Sequence, residues 1–420
     1  MNFPLFFYTK NKFYEMEINS IKSQCESHKQ KKKKIINFVL LLVNLAIVAS
    51  IFIYYSKTSG LVGFKELFSQ NIEYKFLIFA LVACALAIVI ETFRIFQLIG
   101  KSTGKYKFFL SLKTHMIGRY YDCITPFSAG GQPFQIFYLH KKGLPGDKAT
   151  SIPLAKHFFS MFAFSIISIF VLVSNIFVPF TNNPLILVIA ILALIVNGGI
   201  VALILLLSIS KRVGSIIVIK VLKLLNKMHI IKNYKKTFFK VARFVRNYQK
   251  SMKAYSKSVF TIIFQLALSV VSYVLIYSIT YFIYLAFLPL NSSIIEEVSL
   301  LNVVACSVIC DLCACIMPLP GGSGLAEISF DNLFKRLFNL KIFPWALLIW
   351  RILTFFIFIL VGAVQIVCSF IKNVTQKTIS KTMSKVKRKP KWKSSFAIKI
   401  RKWIFLFREG KEIDIFDFKN

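Results

Sequence analysis

Acidic residues are scarce in this chain. Its 420 residues hold only 17 Asp and Glu, against 54 Lys and Arg, for a formal charge of +37. Charged residues of both signs make up 17% of the sequence, below the roughly 25% of an ordinary soluble domain. With 56% apolar residues and a mean hydropathy of +0.65, the chain is too apolar for a soluble domain or a disordered one. It lacks the Gly-X-Y period of collagen. A nucleic-acid binder can reach this charge but not this hydropathy. The sequence has no Gly-x-Ser-x-Gly elbow and no complete Walker A motif, and its five His show no paired-ligand spacing. No catalytic residue, cofactor or metal is assigned from the sequence. The eight Cys sit mostly inside apolar runs, which argues against a secreted disulfide framework. The run after the first 34 residues is too long for a signal core and has no clear small-residue cleavage site, so no cleaved leader is expected.

What is present is a series of long apolar runs. A spanning helix needs about 20 apolar residues. Ile35–Ser56, Phe76–Ile99, His157–Val178, Pro184–Ile209, Val259–Leu288 and Trp345–Ile371 meet that length. Two further regions, Lys113–Leu139 and Leu300–Leu340, are apolar but interrupted. Basic residues orient the chain. Eight Lys precede Ile35, fourteen Lys and Arg fall in Lys211–Lys257, and twelve fall in Lys372–Lys402. By the positive-inside rule these segments, and so both termini, are expected in the cytoplasm. With those ends fixed, each interrupted region must cross an even number of times. Each is therefore a re-entrant loop or a pair of short helices. The expected fold is an all-α polytopic membrane bundle of about six full spans plus two broken hairpins. A basic segment over 1–34, a transmembrane domain over 35–371 with a basic loop at 210–258, and a basic tail over 372–420 make up the chain.

Both interrupted regions carry a Pro and Gly element: Thr125-Pro126-Phe127-Ser128-Ala129-Gly130-Gly131-Gln132-Pro133 and Met317-Pro318-Leu319-Pro320-Gly321-Gly322-Ser323-Gly324. Pro removes a donor and Gly allows positive φ. Paired Gly/Pro breaks in the two halves of a membrane protein point to a transport-type site near the midplane, or to tight turns between short helices. Ionisable residues nearby are candidate site groups because charge in hydrocarbon is costly. Glu91 and Arg94, three residues apart, share a helix face and form a structural pair or part of a site. Arg119 could fork onto a lipid phosphate or snorkel to the interface. Asp122 flanks the same break, and Gln132 and Gln135 could meet a head group or satisfy unwound backbone. Free N–H groups around Gly321, Gly322 and Gly324 could form an anion nest. Glu327 could hold an ammonium, pair with Arg119 or cap a helix. Asp311 and Arg351 could pair with one another. Cys310 and Cys313 have permissive zinc spacing but no completing ligands, and read as small residues at helix contacts.

The stretches Asp122–Pro133 and Pro318–Glu327, the latter reading Pro-Gly-Gly-x-Gly-x-x-Glu, resemble the transmembrane region of lysylphosphatidylglycerol synthase, a flippase-like family of bacterial membrane proteins. The resemblance spans about Ile35–Ile371. It implies a bundle with re-entrant segments in the bacterial plasma membrane, and phosphatidylglycerol or lysylphosphatidylglycerol as partners. It implies translocation of an anionic or aminoacylated lipid, with effects on membrane charge and cationic-peptide resistance. Lipid contacts are then expected at Arg119, Asp122, Gly130, Gly131, Gln132, Gly321, Gly322, Gly324, Glu327, Glu91 and Arg94. Full-length synthases add a soluble domain that takes lysine from lysyl-tRNA. Lys372–Asn420 is too short to bury a core for that chemistry, so a separate soluble lysyltransferase is a conceivable partner. DNA is not expected as a partner, and no base-reading motif supports tRNA. A phosphatidylglycerol lysyltransferase, a secondary transporter of a small solute and an envelope scaffold are the alternatives.

Overall fold

The computed structural model describes residues 72–177, 183–209, 258–290, 298–338 and 341–365, with scattered single positions between 46 and 57, at 179 and 181, and between 219 and 255. The expected first span at Ile35–Ser56, most of the basic loop, and both basic terminal segments lie outside these residues. The compact unit formed by the chain runs Met1–Ala363; of the second unit, Val364–Asn420, only Val364 and Gln365 are described.

Among the described residues the fold is all-helical. Helix α1 spans Tyr74–Thr103, α2 Phe108–Ile124, α3 Gly131–Lys141, α4 Gly146–Phe177 and α5 Pro184–Ile209. Helix α6 spans Val259–Phe287, α7 Leu300–Ile316, α8 Leu325–Phe334 and α9 Phe343–Gln365. Five of these (α1, α4, α5, α6 and α9) are long and apolar enough to cross a bilayer. Their outward faces are apolar: Phe170, Ile176 and Phe177 on α4 are 73–80% exposed. Such surface suits hydrocarbon, and the fold is that of a polytopic membrane bundle.

Each of the five follows an apolar run read from the sequence, with one notable shift. The run at His157 begins in the structure at Gly146, so α4 carries Lys148, Lys156 and His157 within its first turns and contains Pro153. Lys156 and His157 are satisfied there by partners on neighbouring helices, as described below.

Both interrupted regions are broken hairpins. The first is α2, a three-residue 3-10 turn at Pro126–Ser128, then α3. The second is α7, a 3-10 turn at Pro320–Gly322, then α8. At 1.5 Å per residue α3 and α8 are only about 16 Å long, half of the ~30 Å hydrocarbon thickness, so neither can cross alone. The two breaks share a backbone design. Thr125 and Leu319 are extended, a Pro follows, and the next two residues have positive φ: 55° and 50° at Phe127 and Ser128, 63° and 66° at Gly321 and Gly322. The turn residues of one break pack on those of the other, and each also touches the first helix of the opposite hairpin. The hairpins thus meet tip to tip inside the bundle, framed by α1, α6 and α9.

Gly322 is required at its position on two counts. Its φ of 66° disfavours a side chain, and a Cβ there would lie 2.7 Å from the Ala314 carbonyl oxygen and Cβ. Gly322→Ala is expected to lower stability by at least about 1–3 kcal/mol, the cost of backbone strain alone, measurable as a drop in the thermal unfolding midpoint of the purified protein in detergent.

Two cysteines of α7, Cys310 and Cys313, sit buried at helix contacts. Cys310 Sγ donates to the Ala326 carbonyl on α8 across 3.4 Å, and Cys313 Sγ to Ile186 on α5 across 3.7 Å. A π-turn at Ile352–Phe356 in α9 leaves carbonyls free, and the thiols of Cys84 and Cys123 donate to those of Leu353 and Phe355.

Candidate functional site

The first hairpin builds one wall of a polar cavity. Residues 115, 119 and 122 fall at i, i+4 and i+7 of α2, so His115, Arg119 and Asp122 share one helical face and line the same space. Ser128 at the break and Gln132 and Gln135 on α3 close that wall. Glu91 on α1, Lys156, His157 and Ser160 on α4, Tyr273 on α6, and Thr354 and Phe358 on α9 line the rest. The cavity has a volume of about 250 Å³. Carboxylates, cations and imidazoles converge here in a bundle whose exterior is apolar.

Most of these groups hold one another. Glu91 is the hub of an ion-pair cluster. One oxygen accepts from Arg94 at 2.6 Å and the other pairs with the Lys156 ammonium. Arg94 is fully buried behind the cavity wall. It also donates to Ser160 Oγ at 2.8 Å, to Gln265 Oε1 at 3.2 Å and to the Lys156 carbonyl at 3.3 Å. A buried guanidinium needs this many acceptors, since an unpaired charge in low dielectric is prohibitive. The Gln132 amide donates to Nδ1 of His157 across 3.0 Å. Asp122 Oδ1 accepts from the Gly131 amide at 2.7 Å, which places the carboxylate at the N-terminus of α3.

Arg119 differs from the rest. Among the described residues its guanidinium makes no hydrogen bond and no ion pair. Its planar face rests over the Phe358 ring, 4.5 Å from the centroid, while the side chain lines the cavity. Stacking on an aromatic face leaves all five N–H donors free at the guanidinium edge. A guanidinium without a bonded partner in a membrane cavity is a candidate functional group.

The sequence-predicted residues divide into three groups. Glu91, Arg119, Asp122 and Gln132 meet in the cavity, with Arg94 behind Glu91. Gly130 and Gly131 lie at the start of α3, where their N–H groups bond Thr125 Oγ1 and Asp122 Oδ1. A Cβ on Gly131 would fall 2.4 Å from Asp122 Oδ1. Gly131→Ala is therefore expected to eject the Asp122 carboxylate and cost about 1.5–3 kcal/mol, the worth of a hydrogen bond to a charged group. Asp122→Asn, which keeps an acceptor, should cost less in the same thermal unfolding measurement.

Gly321, Gly322, Gly324 and Glu327 form the third group, which does not line the cavity. The anion nest expected there is not open. The amides of Gly322, Ser323 and Gly324 are taken by Leu319 O, Pro320 O and Glu327 Oε2 at 3.1, 3.4 and 2.6 Å. Glu327, fully buried, does not pair with Arg119. It pairs with Arg351 of α9 at 2.5 Å, and Arg351 also donates to the Gly321 carbonyl at 3.3 Å. The expected Asp311–Arg351 pair is thus not formed; Asp311 accepts from the Tyr277 hydroxyl at 2.8 Å. The Pro-Gly-Gly-x-Gly-x-x-Glu stretch is a clamp that fixes the second break to α9 and so presents it to the first.

Sequence reading missed Lys156, His115 and His157 as cavity groups. For His115 the signal was its spacing from Arg119 and Asp122. For Lys156 it was the presence of an intramembrane carboxylate, Glu91, in need of more than one cation.

Residues 41–362 match the family described as Lysylphosphatidylglycerol synthase TM region. No curated protein matches the chain. The match covers well over half of the sequence, includes both broken hairpins and every residue named in the cavity, and agrees with the helical membrane fold. The chain therefore belongs to the lysylphosphatidylglycerol synthase TM region family and is a multi-pass membrane protein.

Proposed function

We propose that this protein binds the phosphate of an anionic or aminoacylated phospholipid in the cavity between the two breaks and carries the head group across the bilayer. The observation that supports this reading best is the unpaired, ring-stacked Arg119 guanidinium facing a polar cavity inside an apolar bundle. Its fork matches two non-bridging phosphate oxygens. The family's description links it to lysylphosphatidylglycerol, which makes that lipid, or phosphatidylglycerol itself, the first candidate. For an aminoacylated head group, the ammonium falls to Asp122, since Glu91 already holds two cations and Glu327 is bound to Arg351. The cavity lowers the cost of moving a charged head group through hydrocarbon by replacing water with fixed polar groups. Basic segments in the cytoplasm and a bacterial plasma membrane complete the reading.

Expression in a bacterium that makes no lysylphosphatidylglycerol, with and without a soluble lysyltransferase domain, tests it. Mass spectrometry of the lipids is expected to show the lysyl lipid only when the soluble domain is present. The protein is then expected to raise the share of that lipid in the outer leaflet. Lysyl lipid made by this chain alone would establish a transferase instead. An unchanged outer-leaflet share would remove translocation of that lipid.

A further inference from the structure

His115 is a buried polar group that the arrangement so far leaves without work. Its ring is 2% exposed, Nδ1 is sealed from solvent, and among the described residues neither ring nitrogen makes a hydrogen bond. Buried polar atoms in native folds are satisfied with few exceptions, and an exception asks for a ligand. The imidazole lies on the cavity wall one helical turn before Arg119. The charges that bear on it are Lys156, Glu91, Arg119 and Arg94. Among the described residues the Lys156 ammonium is paired with Glu91 alone, and Lys156 lines the cavity.

These three groups differ in kind and agree in purpose. Arg119 offers a fork of N–H donors, Lys156 a compact cation with donors to spare, and a neutral imidazole one N–H. An acceptor placed among them needs several lone pairs and a negative charge, which is the chemistry of a phosphate oxyanion. A small cation would meet two positive charges here, and an uncharged polyol would leave the Arg119 guanidinium without an ion-pair partner. Glu91, held by Arg94, keeps Lys156 from withdrawing, so Glu91 is a positioning residue for the ammonium.

We infer that His115, Arg119 and Lys156 together form a three-donor subsite for the phosphate of the lipid head group, with His115 and Lys156 as ligands in their own right. This rests on the lipid-binding reading above and extends it from one residue to a defined subsite.

Titration calorimetry of the full chain in an uncharged detergent tests it, with dioctanoyl phosphatidylglycerol, dioctanoylglycerol and inorganic phosphate as probes. Wild type is expected to bind the phosphatidylglycerol and not the diacylglycerol. His115→Phe and Lys156→Met should each weaken that binding about tenfold or more. His115→Gln, which keeps an N–H, should retain most of it. Where His115→Phe does not fold, the Lys156→Met and His115→Gln pair decides, by loss in the first and retention in the second. Wild-type affinity in His115→Phe and Lys156→Met with loss in Arg119→Gln would overturn the subsite and leave the phosphate reading standing. Wild-type affinity in all three would overturn both. If inorganic phosphate displaces the lipid at equal concentration, the subsite stands and its ligand is free phosphate; if only the lipid binds well, the subsite and the lipid reading stand together.

Discussion

Arg119→Gln is expected to cut the affinity for a short-chain anionic phospholipid by about ten- to a hundredfold while leaving the fold intact. The size follows from what is lost: a charge-assisted hydrogen bond contributes about 1.5–3 kcal/mol, and every 1.4 kcal/mol is tenfold in binding. The direction of the stability effect follows from what is not lost. Among the described residues the guanidinium has no hydrogen-bond or ion-pair partner to orphan, and its main contact is the Phe358 ring. Gln still fills part of the space. The unfolding midpoint should stay close to wild type, and titration with dioctanoyl phosphatidylglycerol should show the loss. Arg119→Lys should recover only part of the affinity, because an ammonium is a point charge without the planar fork. A variant that unfolds would mean that Arg119 is structural.

Breaking the Glu327–Arg351 pair has the opposite profile. Both side chains are almost fully buried, at 0% and 4% exposure, and joined at 2.5 Å. Removing one partner strands a charge in low dielectric, which typically costs about 3–5 kcal/mol. Glu327→Ala removes the Gly324 cap as well, and Arg351→Met releases the Gly321 carbonyl. Each is expected to lower the unfolding midpoint steeply or to abolish recovery of monodisperse protein. The double variant Glu327→Leu with Arg351→Met should be more stable than either single one, because no uncompensated charge is left. Separate effects that simply add would show that the two residues do not act as a pair. Lipid affinity in any folded variant should fall only as far as the second break shifts, since neither side chain lines the cavity.

The helices were legible because hydrocarbon imposes length and polarity on them. All five spans in the described residues coincide with apolar runs, and the two interrupted regions, read as re-entrant loops or pairs of short helices, are broken hairpins. The start of α4 was not legible. Lys148, Pro153 and Lys156 look like a flank until Glu91, some sixty residues earlier in the sequence, is seen to neutralise Lys156. The same limit governed the site. Glu91 and Arg94 pair within one helix and could be read from spacing, whereas Lys156–Glu91 and Glu327–Arg351 are set by packing between helices. The Gly-rich stretch after Pro320 was read as an anion nest because Gly allows one. The amides of Gly322, Ser323 and Gly324 are instead consumed by the turn and by the Glu327 cap. Phe127 and Ser128 take the same positive φ in the first break without Gly, which no composition argument would place there.

The most direct test is translocation by the purified chain in vesicles. Full-length protein is reconstituted into liposomes carrying a trace of acyl-labelled fluorescent phosphatidylglycerol, and a membrane-impermeant reductant bleaches the outer leaflet. Protein-free vesicles protect the inner pool. Wild-type vesicles are expected to expose that pool to the reductant, and Arg119→Gln vesicles to protect it as empty ones do. Wild-type vesicles that protect the inner pool as well as empty ones, with lysylphosphatidylglycerol behaving likewise, would contradict the account.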